Sequence, residues 1–494
     1  MVLKAPVRQF ELGPVQLIIL FALLQLSVCL LTDGFALSFD ESVWHYIGRN
    51  WFRHGLTPYT GGTDNKSPFI FAIYGLSDKL FGVNYWFPRV LGTACQSVCL
   101  FYVYKIARHF AGKQAGVMAL QVYGLSLLWQ VTKGRFPSLT ETYEVTCLLI
   151  SVYSYLTAEK AGKLFAGGML AALGCAFRLT AFLPIFAIFL FSLRRRRMAG
   201  FMYCLGVLAG CLILIGLMQL VGIRPADFFF YGFGDNFGAG TMTDHPLARK
   251  LEHFSDIFLN SDMVLLYPGV IAYLFIEKKI DLLAGWAIAV FAGICAIGMF
   301  DGGHLKDILP VMALMNGIAI ARCIEKYRLP AKKIVWILWI VFIPKLTEPV
   351  TSFKSLLMGF KKTNETSAAA PDTHSTKVLG RWIRSATTPE DKVFVAGYGA
   401  QVQVYSERIS PTIYFDNDAL KTQTEKTRFK QDLSSAEPTI IAVPLFYEYS
   451  RDVDQDIRNF IDTLTAKDYS PDRSMYGYSI YRRRATMPSN TSFR

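Results

Sequence analysis

The sequence has few charged residues. Asp, Glu, Lys and Arg make up 18% of its 494 positions, whereas ordinary soluble domains contain about 25%. The shortage is uneven, because long apolar runs fill most of residues 1–348 and a polar tail follows them. With 52% hydrophobic and 14% aromatic residues, the composition excludes a chain built only of soluble domains and indicates a membrane protein.

Cysteine pairs and known ligand motifs are also lacking. The nine cysteines form no C-x-x-C pair and no Cys/His spacing typical of zinc, and none lies in the polar tail. The pattern therefore excludes a disulfide framework and a structural zinc site. No glycine-rich nucleotide-binding motif and no internal repeat occurs either.

The basic residues give a formal net charge of +13, but they do not indicate a nucleic-acid-binding protein. They form short clusters between apolar runs, as positive charges do at the cytoplasmic ends of membrane spans. This pattern predicts about eleven spans, with the N-terminus in the cytoplasm and the C-terminus outside. We interpret the first span as a retained signal anchor, because its apolar core is longer than that of a cleaved signal peptide. The predicted spans are residues 14–32, 86–107, 114–132, 139–158, 163–177, 179–193, 199–221, 262–276, 282–300, 304–322 and 332–348.

The fold predicted from these patterns is a polytopic α-helical membrane protein with a small extracytoplasmic α/β domain. We expect a membrane domain over residues 1–348, a linker over 349–376 and the α/β domain over 377–494. In the tail, β-branched runs predict strands and amphipathic runs predict helices. The strands are predicted at 393–396, 438–443 and 478–481, and the helices at 375–386, 417–434 and 452–466. No catalytic constellation occurs in the tail, so we expect it to be non-catalytic.

The first outer loop, residues 33–85, carries two adjacent carboxylates, Asp40 and Glu41, and then Lys66. Ser38 and Glu41 match a helix capping box, and Asp40 would then lie at the positive end of the helix dipole. On this interpretation Lys66 lies in a solvated turn. Capping and catalysis are compatible, so the pattern leaves both open.

The same loop suits transfer of a sugar from a lipid phosphate. A carboxylate at the membrane surface can take the proton of an acceptor hydroxyl or amine. A cation must stabilise the charge that develops on the departing phosphate, and Lys66 and Arg89 are candidates. We expect a polyprenyl-phosphate sugar as the donor, because nucleotide sugars are not expected outside the cytoplasmic membrane.

In these stretches the chain resembles the family 39 glycosyltransferases of the GT-C fold, which include protein O-mannosyltransferases and lipid A aminoarabinose transferases. The bacterial members usually read D-E near the first span, then H-K-P-P, then R-L-P. Asn65 and Ser67 stand where His and the first Pro are usual. Val90 and Leu91 follow Arg89, so the third motif matches only at the arginine. The similarity spans nearly the whole chain in order. The matching stretches are Phe39-Asp40-Glu41, Tyr59, Asp64-Asn65-Lys66-Ser67-Pro68, Phe87-Pro88-Arg89, Thr140-Glu141 and Gly303-His304.

The resemblance implies roles for four of these residues. Asp40 would be the general base of a one-step inverting displacement, and Glu41 would orient it or contact the acceptor. Lys66 and Arg89 would contact the donor phosphate. Asp64 and Asn65, next to Lys66, are further candidates for the lining of the substrate cavity.

For each further candidate site residue, the sequence leaves open a functional role and an ordinary structural role. Arg178 binds the lipid phosphate or extends to the membrane surface. Glu141 lines the donor site or forms an ion pair, since ionisable groups in membranes are costly and often functional. His304, Lys306 and Asp307 line the cavity or cap a helix. Polar residues of the second outer loop either bind acceptor or are ordinary loop residues: Asp235, Asn236, Asp244 and His245.

No cofactor is indicated with certainty. A divalent metal beside Asp40 and Glu41 stays open, although no further ligand set accompanies the two carboxylates. The expected partners are a polyprenyl-phosphate-linked sugar, membrane lipid and an acceptor glycan, lipid or protein, with no nucleic acid. The expected location is the cell inner membrane.

Two other membrane functions compete with the transferase. A transporter or flippase for a lipid-linked glycan predicts paired repeats and charges at mid-membrane, whereas the carboxylates here follow the first span. An O-antigen ligase or polymerase would concentrate basic residues in one late outer loop.

Overall fold

The computed structural model describes most of the chain in two compact units. The first unit comprises residues 1–32, 89–214 and 245–353, and the second comprises 33–88, 215–244 and 354–494. The described residues are 12–33, 36–129, 131, 136–195, 197–234, 247–278, 281–297, 300, 302–342, 373–397, 399–416, 420–445 and 455–484.

Helices dominate the described residues. In chain order they are α1 Pro14–Asp33, α2 Phe39–His54, α3 Pro68–Phe81, α4 Trp86–Ser126, α5 Thr140–Leu156, α6 Ala161–Phe177, α7 Phe182–Arg195, α8 Arg197–Leu220, α9 Pro225–Phe229, α10 Leu247–Phe258, α11 Tyr267–Glu277, α12 Leu282–Ile297, α13 Leu305–Tyr327, α14 Ala331–Phe342, α15 Thr373–Ser385, α16 Ala400–Ser406, α17 Gln423–Ala436 and α18 Gln455–Asp468. The strands are β1 Val393–Val395, β2 Ile440–Pro444, β3 Tyr469–Met475 and β4 Tyr478–Arg483.

Long apolar helices confirm the prediction of a polytopic helical membrane protein. Four helices of the described residues are long and apolar enough to span a bilayer. They are α1, α4, α8 and α13 together with the turn before it. Residues 247–277 add a fifth if their two helices, bent by 52°, count as one span. Three shorter apolar helices lie at Ala161–Phe177, Leu179–Leu193 and Leu282–Ala296. The number of eleven spans and their orientation stay predictions.

Helix α4 is interrupted where the sequence predicts a loop. The backbone leaves helical geometry at Ala111 and Gly112, where the glycine has φ +82°. A straight helix of 41 residues would be about 60 Å long, twice the hydrocarbon thickness of a bilayer. The break between the two arms therefore agrees with two spans separated by a short turn.

In the first unit, helices pack closely where small residues face each other. A Cβ added at Gly168 of α6 would overlap the Tyr203 carbonyl oxygen of α8, and one at Gly206 would overlap the Phe165 carbonyl oxygen. Membrane helices associate without a hydrophobic driving force, so this backbone proximity supplies the van der Waals contact that joins them.

In the second unit, α2 and α3 pack against each other through Gly48 and Gly75. A Cβ on either glycine would overlap the backbone of the other helix. Helix α2 begins at the Ser38 cap and ends at Gly55, whose φ of +70° is the left-handed conformation typical of a helix C-terminus. The first outer loop is therefore a tight helical pair.

The tail folds around a four-stranded sheet in the order β1-β2-β4-β3. β1 pairs in parallel with β2, and the other two pairings are antiparallel. The two faces of the sheet carry separate cores, one around Phe429 and Ile441 and the other around Leu379 and Ile440.

The predicted strands and helices of the tail are confirmed, with boundaries shifted by a few residues. The sequence analysis missed β3, because its exposed polar residues show no apolar alternation, and it missed the short helix α16. Residues 349–372 of the predicted linker lie outside the described residues. The three-part domain division stays a prediction.

Candidate active site

The N-terminus of α2 presents Asp40 and uses Glu41 for capping. The Ser38 backbone N–H donates to Glu41 Oε2 at 2.8 Å, and the Glu41 N–H donates to Ser38 Oγ at 3.4 Å. Glu41 is 3% exposed, whereas Asp40 is exposed in the same helical turn. The capping box therefore engages Glu41, while Asp40 is the exposed member of the pair at the positive end of the helix.

A short chain of hydrogen bonds holds the segment that contains Lys66. Trp44 Nε1 donates to Asp64 Oδ2 at 3.1 Å, and the Asn65 N–H donates to Asp64 Oδ1 at 2.7 Å. Lys66 Nζ in turn donates to Asn65 Oδ1 at 2.7 Å. Asn65, the residue that departs from the usual His, therefore orients the ammonium group directly.

Tyr59 supports the same segment from the other side. Its hydroxyl donates to the Lys66 carbonyl oxygen at 2.8 Å, and its ring stacks on Tyr231 with centroids 5.4 Å apart. Tyr59 has φ +70°, a strained conformation for a bulky residue that persists only when the surroundings determine it. Ser67 and Pro68 then cap and start α3.

A second group of charged residues lies in the first unit, where three helix ends meet. Arg178 follows α6, Glu141 opens α5, and His304 and Asp307 flank the start of α13. Arg178 Nη1 lies 2.5 Å from Asp307 Oδ2 and 3.2 Å from Glu141 Oε1. His304 Nδ1 lies 2.5 Å from Arg178 Nη2 and 3.3 Å from Glu141 Oε1. The structure thus brings together four of the candidate residues, Glu141, Arg178, His304 and Asp307.

Two further basic candidates, Lys306 and Arg89, lie outside the ion pairs of Arg178. Lys306 Nζ donates to the Phe136 carbonyl oxygen at 2.5 Å, and Arg89 is buried near the start of α4. Glu144 is also buried, one turn beyond Glu141 on α5. Its spacing of three residues from Glu141 placed both on one helix face, a signal that the sequence analysis did not use.

A buried charge network in the second unit was missed by the sequence analysis. Asp78 of α3 accepts from Arg49 Nε at 3.0 Å and also pairs with Arg53 Nε, and His45 Nδ1 lies 3.3 Å from its carboxylate. His45, Arg49 and Arg53 recur every four residues on α2, which places them on one helix face. That spacing was the available signal.

Burial shifts the pKa values in this network. Burial lowers the pKa of His45 to about 4, and the Arg49 charge adds to the effect. The Asn84 N–H approaches His45 Nε2 at 3.4 Å, an arrangement that suits a neutral ring. Burial alone raises the pKa of Asp78, but Arg49 and its positive neighbours outweigh it and hold the pKa of Asp78 below its ordinary value.

The predicted site residues are divided between the two compact units. The second unit contains Asp40, Glu41, Asp64, Asn65 and Lys66, and the first contains Arg89, Glu141, Arg178, His304 and Lys306. Their assigned roles stay predictions. The predicted acceptor contacts Asp235, Asn236, Asp244 and His245 lie outside the described residues.

The divalent metal that the sequence left open gains no ligand set from the structure. Among the described residues, no group of three or more His, Cys, Asp or Glu side chains is arranged to hold a metal ion. The question of metal dependence therefore stays open.

Comparison with known proteins shows a similarity to one family over part of the chain and a likeness of fold to solved structures. Residues 65–218 match the family described as dolichyl-phosphate-mannose-protein mannosyltransferase. No match was found among the curated proteins.

Similar solved structures include ArnT from Cupriavidus metallidurans bound to undecaprenyl phosphate. It has a TM-score of 0.63 at 13% identity, and the match covers 96% of this chain and 98% of that one. The apo state of the same protein gives 0.64 at 14% identity, covering 94% and 97%. The oligosaccharyltransferase AglB from Archaeoglobus fulgidus, in complex with an inhibitory peptide and a dolichol-phosphate, gives 0.55 at 12% identity, covering 97% and 75%.

These similarities cover nearly the whole chain, so the shared architecture includes both the apolar helices and the C-terminal sheet. The family match covers the segment from Asn65 through α8. Together they confirm the resemblance drawn from the sequence, and the chain is a multi-pass membrane protein of the GT-C fold that is similar to the family 39 glycosyltransferases.

Proposed function

We propose that this protein is an integral-membrane glycosyltransferase that moves a sugar from a polyprenyl-phosphate donor to an acceptor on the extracytoplasmic side of the cell inner membrane. The observation that carries the proposal is the N-terminus of α2. There Glu41 is engaged in the capping box and buried, whereas Asp40 is exposed, on the loop that also contains Lys66. The undecaprenyl phosphate of ArnT and the dolichol-phosphate of AglB support a lipid-phosphate donor.

Asp40 acts as the general base. Its carboxylate takes the proton of the acceptor hydroxyl or amine as that atom attacks the anomeric carbon, and the sugar–phosphate bond breaks on the opposite face. One displacement of this kind inverts the anomeric configuration. Glu41 is a positioning residue, because its capping hydrogen bonds determine the direction of the first turn of α2.

Cations stabilise the departing phosphate. Lys66 carries a compact charge whose direction is set by Asn65, so it is arranged before the charge develops. Arg178 is a second candidate, and its two carboxylate partners Glu141 and Asp307 hold its guanidinium in one orientation. Arg89 is a third candidate. The acceptor is a glycan, a lipid or a protein.

The test is a membrane assay with a panel of polyprenyl-phosphate sugars and acceptors of the three classes. Asp40→Asn should reduce turnover by about 10²–10⁴-fold, the usual contribution of a general base, while donor binding persists. Lys66→Ala should lower both donor affinity and turnover. Glu437→Gln is the matched control, because it removes one negative charge from an exposed side chain of the tail and should leave turnover unchanged.

Two results would refute the proposal. Wild-type turnover in both Asp40→Asn and Lys66→Ala would remove the assigned chemistry. Thr60 is exposed in the same loop, so a Thr60→Cys variant reports on the side of the membrane. If an impermeant maleimide labelled this cysteine only after permeabilisation, the loop would lie in the cytoplasm. That result would refute the proposed extracytoplasmic site.

A further inference from the structure

The residue before the cap of α2 is held by the C-terminal domain. Leu37 is fully buried, and its N–H donates to the Tyr405 hydroxyl at 2.9 Å. Its carbonyl oxygen accepts from Gln401 Nε2 at 3.1 Å. The backbone N–H and carbonyl oxygen of Leu37, three residues before Asp40, are therefore both hydrogen-bonded to side chains of α16. We name this arrangement of Leu37, Gln401 and Tyr405 the Leu37 clamp.

Further contacts join α2 to the same part of the tail. Arg49 Nη1 donates to the Val404 carbonyl oxygen at 2.8 Å, and the Ser410 N–H donates to the Tyr46 hydroxyl at 2.8 Å. The ring centroids of Tyr46 and Phe415 are 4.2 Å apart. The contacts with the tail thus extend from Leu37 to Arg49, so α2 is attached at several points rather than at one.

Helix α16 is itself firmly attached to the domain core. Gln403 Nε2 donates to the carbonyl oxygens of Val393 on β1 and of Arg408. Gly380 of α15 lies so close that a Cβ would meet Val402 and Tyr405. The helix that clamps Leu37 therefore has little freedom relative to the sheet.

The same attachment reaches the segment that contains Lys66. Arg49 bonds Val404 on one side and Asp78 of α3 on the other, and α3 begins directly after Lys66 and Ser67. The Thr63 N–H also donates to the Ile413 carbonyl oxygen at 3.1 Å. The C-terminal domain thus contacts the loop next to both of its proposed reactive residues.

We propose that the C-terminal α/β domain holds Asp40 in its reactive position through the Leu37 clamp, with Tyr405 and Gln401 as positioning residues, an inference that rests on the glycosyltransferase function proposed above. The domain is non-catalytic, since it contributes no group to the reaction itself. It is nevertheless required for turnover, because a small displacement of a catalytic group can cost about 10²-fold in rate.

The experiment uses the full chain in lipid nanodiscs and compares Tyr405→Phe and Gln401→Leu with wild type. Each variant leaves one buried polar group of Leu37 without its partner. We expect kcat to fall about 10- to 100-fold with the donor KM changed less than about twofold, the pattern of a lost transition-state interaction. Amide hydrogen exchange should accelerate in residues 36–45. Tyr481→Phe, on β4 of the same domain, is the matched control and should change neither quantity.

The possible results distinguish a failure of the Leu37 clamp proposal from a failure of the proposed glycosyltransferase function. Local acceleration at residues 36–45 with a lower kcat supports the proposal. Unchanged exchange and unchanged kcat in both variants would overturn it, and so would acceleration spread evenly over residues 373–484, which identifies a general stability defect. If wild type transfers no sugar from any donor, the proposed function fails. Exchange at residues 36–45 then still decides whether the clamp orders the loop.

Discussion

Asp78 offers the sharpest test of how the first outer loop is held together. It is 1% exposed and faces Arg49, which is 4% exposed, and Arg53, which is 43% exposed. Asp78→Asn keeps the size of the side chain and removes only its charge. The variant therefore leaves the Arg49 guanidinium buried without an anion.

The expected loss follows from the geometry of the pair. Arg49 Nε lies 3.0 Å from Asp78 Oδ2, and at an effective dielectric constant of about 20 that attraction is about 5 kcal/mol. Removing one partner of a buried ion pair typically costs about 3–5 kcal/mol, because the other charge stays buried. Asparagine retains one acceptor oxygen, so we expect about 3 kcal/mol.

Amide hydrogen exchange of α2 and α3 measures this loss locally. A loss of about 3 kcal/mol corresponds to roughly 100-fold faster exchange through local opening. Asp472→Asn is the matched control, since Asp472 also pairs with two arginines, Arg473 and Arg482, but both are well exposed. Its loss should stay below about 1 kcal/mol. Equal effects of the two variants, or unchanged exchange in α2 and α3, would refute the reasoning.

Two further predictions concern pH and helix packing. Because the pKa of folded His45 is about 4, below the ordinary 6.5, the unfolded chain binds the proton more tightly, and stability is lost as pH falls from 6.5 towards 4. The loss of stability reaches about 3 kcal/mol. Between pH 7 and pH 4.5 the melting temperature should therefore fall less for His45→Gln than for wild type. Equal falls in melting temperature would contradict the prediction. Gly168→Ala should destabilise the first unit by about 1–3 kcal/mol, because its Cβ would overlap the Tyr203 carbonyl oxygen. Gly162→Ala, whose Cβ meets nothing within 4 Å, is the control, and an equal melting temperature in detergent for both variants would show that the close packing is not needed.

The general class of the protein and its candidate residues followed from local patterns. Apolar runs separated by basic clusters predicted a polytopic helical membrane protein, and the S-x-x-E spacing at Ser38 predicted the cap that the structure contains. Alternating apolar runs predicted β1, β2 and β4. These features depend on residues close in sequence, so periodicity alone reveals them.

Interactions between distant segments could not be predicted in this way. No local pattern predicted that the tail packs with residues 33–88, and the structure groups the two in one compact unit. Asp78 was passed over because its partners lie on another helix, and Asp307 gained its importance only when Arg178 and Glu141 came within ion-pair distance.

The sequence by itself determined that the chain enters the membrane, that a helix begins after Ser38, and that a carboxylate pair follows the first span. Only the tertiary structure decided how far each member is exposed, because the packing around α2 buries Glu41 and leaves Asp40 exposed. It also decided that Leu37 is held by Gln401 and Tyr405. Hydrogen bonds between residues more than 350 positions apart leave no periodic trace in the sequence, since they depend on how the completed elements pack.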